Sequence, residues 1–114
     1  MKKLVQLDVF TDEWKFLFVY CNEVSAKRLA LKLFPDVNKD YNFTNRRGLT
    51  FFKRNKVPMI WINSDKVNGK QKLYTAIHES THLVKCIGDW VGITDEEWFA
   101  ETMEYVVRQI TKHF

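Results

Sequence analysis

His78 and His82 stand four residues apart in the run His78-Glu79-Ser80-Thr81-His82, and this spacing constrains the chain more than any other feature. The stretch from Gln71 to Ile87 carries Leu73, Ile77, Leu83 and Val84 around that run and reads as a helix stopping near Gly88. On a helix, side chains four apart lie one above the other, so both imidazoles can reach one metal ion. Glu79 follows the first histidine and falls beside the open coordination position, where a carboxylate can take a proton from water. The run is therefore a candidate zinc site with Glu79 as its general base.

The bulk of the chain sets the limits on that reading. With 114 residues it makes one domain, residues 1–114, with a single core. Hydrophobic residues at 46% and aromatics at 15% supply that core and argue against disorder. No apolar run approaches the roughly 20 residues needed to span a bilayer. Lys2 and Lys3 open the chain, but Gln6, Asp8, Asp12 and Glu13 interrupt any signal-like apolar segment, so a cytoplasmic location is expected. Two cysteines, Cys21 and Cys86, fit a reducing compartment. Cys86 falls four residues after His82, yet a small buried thiol explains it better than a further ligand. The formal charge of +4 is mild, and the basic stretch Arg46 to Lys56 reads as a solvated loop flanking a strand rather than a nucleic-acid surface.

Along the chain, Val5, Leu7 and Val9 alternate with polar residues, Thr11-Asp12-Glu13 reads as a turn, and Lys15 to Cys21 as a second strand paired in a hairpin. Asn22 is placed to cap a helix running to about Phe34, which Pro35-Asp36 ends. Residues 36 to 47 read as a polar loop. Gly48 to Lys53 and Val57 to Asn63 read as two strands joined by a tight turn at Arg54-Asn55-Lys56, and Pro58, lacking an N–H, puts the second of them at a sheet edge. A last helix, capped by Thr94, runs to about Lys112. The expected fold is α+β: a small, mostly antiparallel sheet, the helix bearing the histidines, and a C-terminal helix bearing a further ligand.

A catalytic zinc site needs a third protein ligand. The last helix offers Glu97 and Glu101 among its acids, one turn apart on one face. If the histidine helix stops at Gly88, His82 lies about 9 Å before its end, and an antiparallel partner lies about six residues into the next helix, which favours Glu101. Glu97 also fits the third position of a capping box beginning at Thr94. Distance alone leaves both open.

The run Glu97-Trp98-Phe99-Ala100-Glu101 resembles the downstream ExxA(D/N) segment of gluzincin zinc peptidases such as the ImmA/IrrE-type families. Residues 57–107 also resemble the small HExxH zinc metallopeptidases of phages and prophages, with Glu97, Ala100 and Tyr105 matching their ending. The resemblance implies a minimal zincin-like fold holding Zn2+ by His78, His82 and Glu97. Ala100 would be a close helix contact, and Glu101 an orienter of His78 or an alternative ligand. Glu101 departs from the usual shorter acid or amide at its position.

The implied activity is hydrolysis of peptide bonds, with Glu79 moving the proton and Tyr105 or Tyr74 as possible donors to the developing oxyanion. A peptide or protein substrate would add to the strand 57–63 as a further strand, and no membrane partner is expected. The competing readings are a non-catalytic zinc-binding protein and a basic binding module acting on another protein or nucleic acid.

Overall fold

Strand alternation sorts the core of this chain onto the two faces of one sheet. The computed structural model describes residues 2–9, 12–35, 42–53 and 56–114. Its elements are β1 (Lys2–Val9), β2 (Asp12–Cys21), α1 (Glu23–Leu33), β3 (Gly48–Phe51), β4 (Met59–Asn63), α2 (Lys70–Val91) and α3 (Glu96–Thr111). The strands form one four-stranded sheet in the order β1-β2-β4-β3. β1 pairs antiparallel with β2, and β3 antiparallel with β4, whereas β2 and β4 run parallel from Leu17↔Met59 to Cys21↔Asn63. The domain is α+β with a mixed sheet. Its parallel pair arises because the chain leaves β2 through α1 and comes back past β3 before laying down β4.

Successive side chains of a strand point to opposite faces. Phe16, Phe18, Ile60 and Ile62 therefore share one face, where they pack with Ala76, Leu83, Val84 and Ile87 of α2 and Val106 and Ile110 of α3. Val19, Leu49, Phe51, Met59 and Trp61 share the other, under Ala26, Ala30 and Phe34 of α1 and under Phe43. β4 is covered on both sides and all five of its residues are buried, which is why it reads as a continuous apolar run.

That burial overturns the expectation that 57–63 is an edge strand. Pairing starts only at Met59, so the missing N–H of Pro58 leaves no gap in the ladder, and the Pro58 carbonyl accepts from Leu17 N at 2.8 Å. Among the described residues the outermost strand on this side of the sheet is β3 instead. The expected tight turn also opens out: the strands stop at Phe51 and resume at Met59, with Lys56 N bonded to Lys53 O at 3.2 Å between them, while Arg54 and Asn55 lie outside the described residues. At the first hairpin Asp12 and Glu13 already belong to β2, and Thr11 lies outside the described residues.

α1 begins as its cap dictates, with the Asn22 side chain accepting from Ser25 N at 2.8 Å. α2 runs past Gly88. It ends at Gly92, whose φ of 75° is the left-handed cap that glycine takes at little cost, with its N–H bonded to the Gly88 carbonyl. Gly88 serves a different need, because a Cβ there would stand 3.1 Å from the ring of Trp98 on α3. α3 is capped by Asp95 rather than Thr94, the Asp95 carboxylate accepting from Glu97 N at 3.2 Å. Among the described residues no helix is long and apolar enough to cross a membrane.

Gly48 decides how closely β3 can lie to its neighbours. A Cβ at this position would meet the Trp61 carbonyl oxygen at 2.5 Å and the Glu79 Cγ at 3.2 Å. The Trp61 carbonyl belongs to the backbone of β4 and has little room to yield. Gly48→Ala is expected to cost about 1–3 kcal/mol, as overpacking does. Urea unfolding followed by circular dichroism reads this directly, and an unshifted midpoint would contradict the packing described.

Candidate metal centre and its cavity

The helix brings the two imidazoles together as their spacing requires. His78 Nε2 and His82 Nε2 are 3.3 Å apart, and the rings meet nearly edge to face, with centroids at 4.9 Å. Two nitrogens bound tetrahedrally at about 2.0–2.1 Å from one zinc ion are separated by about 3.3–3.4 Å. The pair thus stands at the separation of one edge of a tetrahedral shell. In the metal-free protein the same separation allows one neutral imidazole to donate a weak hydrogen bond to the other.

Glu79 is buried, at 5% exposure, whereas His78 and His82 are exposed. A buried carboxylate needs a donor, and β3 provides one. Thr50 Oγ1 lies 2.8 Å from Glu79 Oε1 and 2.9 Å from the Glu79 carbonyl oxygen, so its single proton is shared between two acceptors on one residue. Gly48, on the same face of β3, leaves the space that the Glu79 side chain fills. The other carboxylate oxygen, Oε2, is 3.9 Å from His78 Nε2. That exceeds the roughly 3.3 Å edge of a tetrahedral shell, which puts the carboxylate next to such a shell rather than inside it. Position suits it to exchange a proton with a bound water.

Both histidines open into a cavity of about 790 Å³. α2 forms one wall with Tyr74, Thr75, His78, Glu79, His82 and Cys86; the start of β3 and the residues before it, Asn45 to Thr50, form the other. Tyr74 is 64% exposed and stands on this wall, as a donor to substrate would need to. Cys86 also lines the cavity, but burial, together with the charge of Asp89, pushes its thiol above the ordinary range. At neutral pH it is protonated and is no ready thiolate ligand.

α3 does not reach this cavity. Glu97 and Glu101 are exposed and neither lines it, and Tyr105 is half-buried against the core that α3 shares with the sheet. Among the described residues no group of three His, Cys, Asp or Glu side chains gathers as a metal cluster. The cause lies in the length of α2. It runs nine residues beyond His82, to Val91, about 13–14 Å of helix rather than 9 Å, so the first turn of α3 starts well past the histidines. The hairpin estimate placed the end of α2 at Gly88 and was one turn short.

Sequence reasoning missed Thr50 and Gly48, although the alternation of Gly48-Leu49-Thr50-Phe51 already puts both on one face of a strand. It also missed Arg46 and Arg47 as cavity residues. No protein-family model, curated protein or solved structure matches this chain.

Two outcomes follow from the local chemistry. Thr50→Val leaves a buried carboxylate without its hydroxyl donor and should lower stability by about 1–3 kcal/mol, while Thr50→Ser should restore most of it. Equal stabilities for Val and Ser in urea titrations would contradict the assigned bond. Because burial raises both thiols, less thiolate is present at pH 8 than in a free cysteine. Cys21 and Cys86 should therefore alkylate with iodoacetamide more slowly than a free thiol, the rate rising as pH passes the ordinary thiol range; a free-thiol rate at pH 8 would contradict this.

Proposed function

We propose that this protein is a zinc-dependent hydrolase acting on peptide bonds, with a zincin-like site built from α2 and β3. The observation that carries the reading is the 3.3 Å separation of the two Nε2 atoms beside a buried, hydroxyl-bonded carboxylate. When bound, zinc would supply Lewis acidity, polarising a carbonyl and making a coordinated water more acidic. His78 and His82 would hold the ion. Glu79 accepts the proton of the attacking water and passes it to the leaving amine, which requires the carboxylate to stay aimed at one spot. Thr50 supplies that aim. Tyr74, on the α2 wall, can approach a substrate carbonyl oxygen.

The position of β3 beside the cavity, as the last strand on that side among the described residues, supports a peptide as the substrate, since an extended chain can add to a strand at the rim of a sheet through main-chain hydrogen bonds. This moves the docking strand from 57–63 to Gly48–Phe51. A catalytic zinc site carries three protein ligands and an open position, and among the described residues the cavity supplies two of the three, His78 and His82. The resemblance would bring in Glu97, with Glu101 beside it, but neither lines the cavity. Our reading rests on His78, His82 and Glu79.

Zinc titration by calorimetry tests it on wild type and single variants. One zinc per chain is expected in wild type, with binding lost in His78→Ala and His82→Ala and retained in Glu79→Gln, Glu97→Ala and Glu101→Ala. Glu79→Gln should lower peptide hydrolysis by about 10²–10⁴-fold. Zinc binding that survives His82→Ala, or full turnover in Glu79→Gln, would defeat the assignment. Loss of zinc in Glu97→Ala would put the third ligand on α3.

A further inference from the structure

Arg46 and Arg47 line the cavity on the wall opposite the histidines. Both are exposed, and Glu79, buried behind Thr50, is the one carboxylate among the described residues lining the space. Arg46 spends its Nε proton on the Asn42 carbonyl at 2.7 Å, a neutral partner, and Arg47 makes no side-chain hydrogen bond or ion pair among the described residues. Two cationic residues thus line the cavity with no ion pair among the described residues.

Their backbone is held in place from beneath. Asn63, 1% exposed at the end of β4, donates its side-chain amide to the Arg46 carbonyl at 2.9 Å and its backbone N–H to the Arg47 carbonyl at 2.8 Å. Its side-chain oxygen accepts from Asp65 N at 3.0 Å, which fixes the orientation of the amide. Asn45, just before the pair, has a φ of 60°, a left-handed turn that asparagine tolerates better than most residues. The pair is carried on a segment with fixed exits rather than on a loose loop.

We propose that Arg46 and Arg47 form a carboxylate-binding subsite that selects peptides with a negative charge near the bond to be cleaved. Guanidinium and carboxylate match as planar, bidentate partners, and the bond is charge-assisted. The distance is set by β3. Arg47 precedes Thr50 by three residues, about 10 Å of extended chain, so a peptide lying along this edge carries the carboxylate about two or three residues from the bond facing Glu79. The carboxylate belongs either to the chain terminus or to an acidic side chain. This inference deepens the peptidase reading and depends on it for the meaning of the bond cleaved, but the subsite itself makes a binding prediction that needs no turnover.

The test is fluorescence anisotropy on the Glu79→Gln protein, with and without zinc, using three fluorescein-labelled hexapeptides of alanine and leucine. One is neutral with an amidated terminus, one ends in a free carboxylate, and one is amidated with a single internal glutamate. At least one acidic probe should bind about tenfold or more tightly than the neutral one. Arg47→Gln, and more fully the Arg46→Gln/Arg47→Gln pair, should abolish that preference, whereas Lys27→Gln on α1 should keep it. Preference for the free terminus alone assigns the terminal carboxylate, and preference for the internal glutamate alone assigns the side chain. Equal binding of all three probes, or a preference that survives both arginine changes or falls equally with Lys27→Gln, overturns the proposal. Hydrolysis without any charge preference would leave the peptidase reading standing and this one refuted. An arginine-dependent preference in a protein that binds no zinc would do the reverse.

Discussion

The contact between β3 and α2 is the interaction on which the site depends. Gly48 keeps its strand free of a side chain where Trp61 and Glu79 crowd it, and Thr50, two residues on, covers Glu79 with a hydroxyl. Remove either feature and the carboxylate must move, gain water or lose its donor. The same close approach sets the two walls of the cavity, since the residues just before β3 face the histidines of α2 across it. Stability and site geometry therefore share one set of atoms, as is common where a polar group must be held dry and aimed.

The sheet serves this contact from behind. Its core is divided by strand pleating into a face for α2 and α3 and a face for α1, and β4 is buried between them. Asn63 ends β4 and ties the arginine-bearing segment to it, while the parallel pairing of β2 with β4 leaves β3 as the outermost strand on that side among the described residues. A buried central strand thus positions a short outer one, which meets α2 through Gly48 and Thr50.

Local rules made some parts legible and failed at others for definable reasons. α1 and its Asn22 cap, the first hairpin and the helix bearing the two histidines follow from spacing and capping, which are properties of neighbouring residues. The choice between Gly88 and Gly92 as the end of α2 is not local: Gly88 is small because Trp98 of α3 packs on it, and only Gly92 needs a left-handed backbone. That one turn moved the start of α3 and with it the distance of Glu97 and Glu101 from the histidines. Pro58 misled for a similar reason, because a proline one residue outside a strand reads the same as one inside it. Thr50 was hidden because a threonine in a strand shows its partner only when another element lies on it.

The central claim is that His78 and His82 share one metal ion next to Glu79. Anomalous diffraction at the zinc edge from crystals grown with zinc tests it most directly. The account predicts a single strong peak about 2.0–2.1 Å from both Nε2 atoms, with the Glu79 carboxylate outside bonding distance. A peak elsewhere, or none at the pair when zinc is bound in solution, would contradict it.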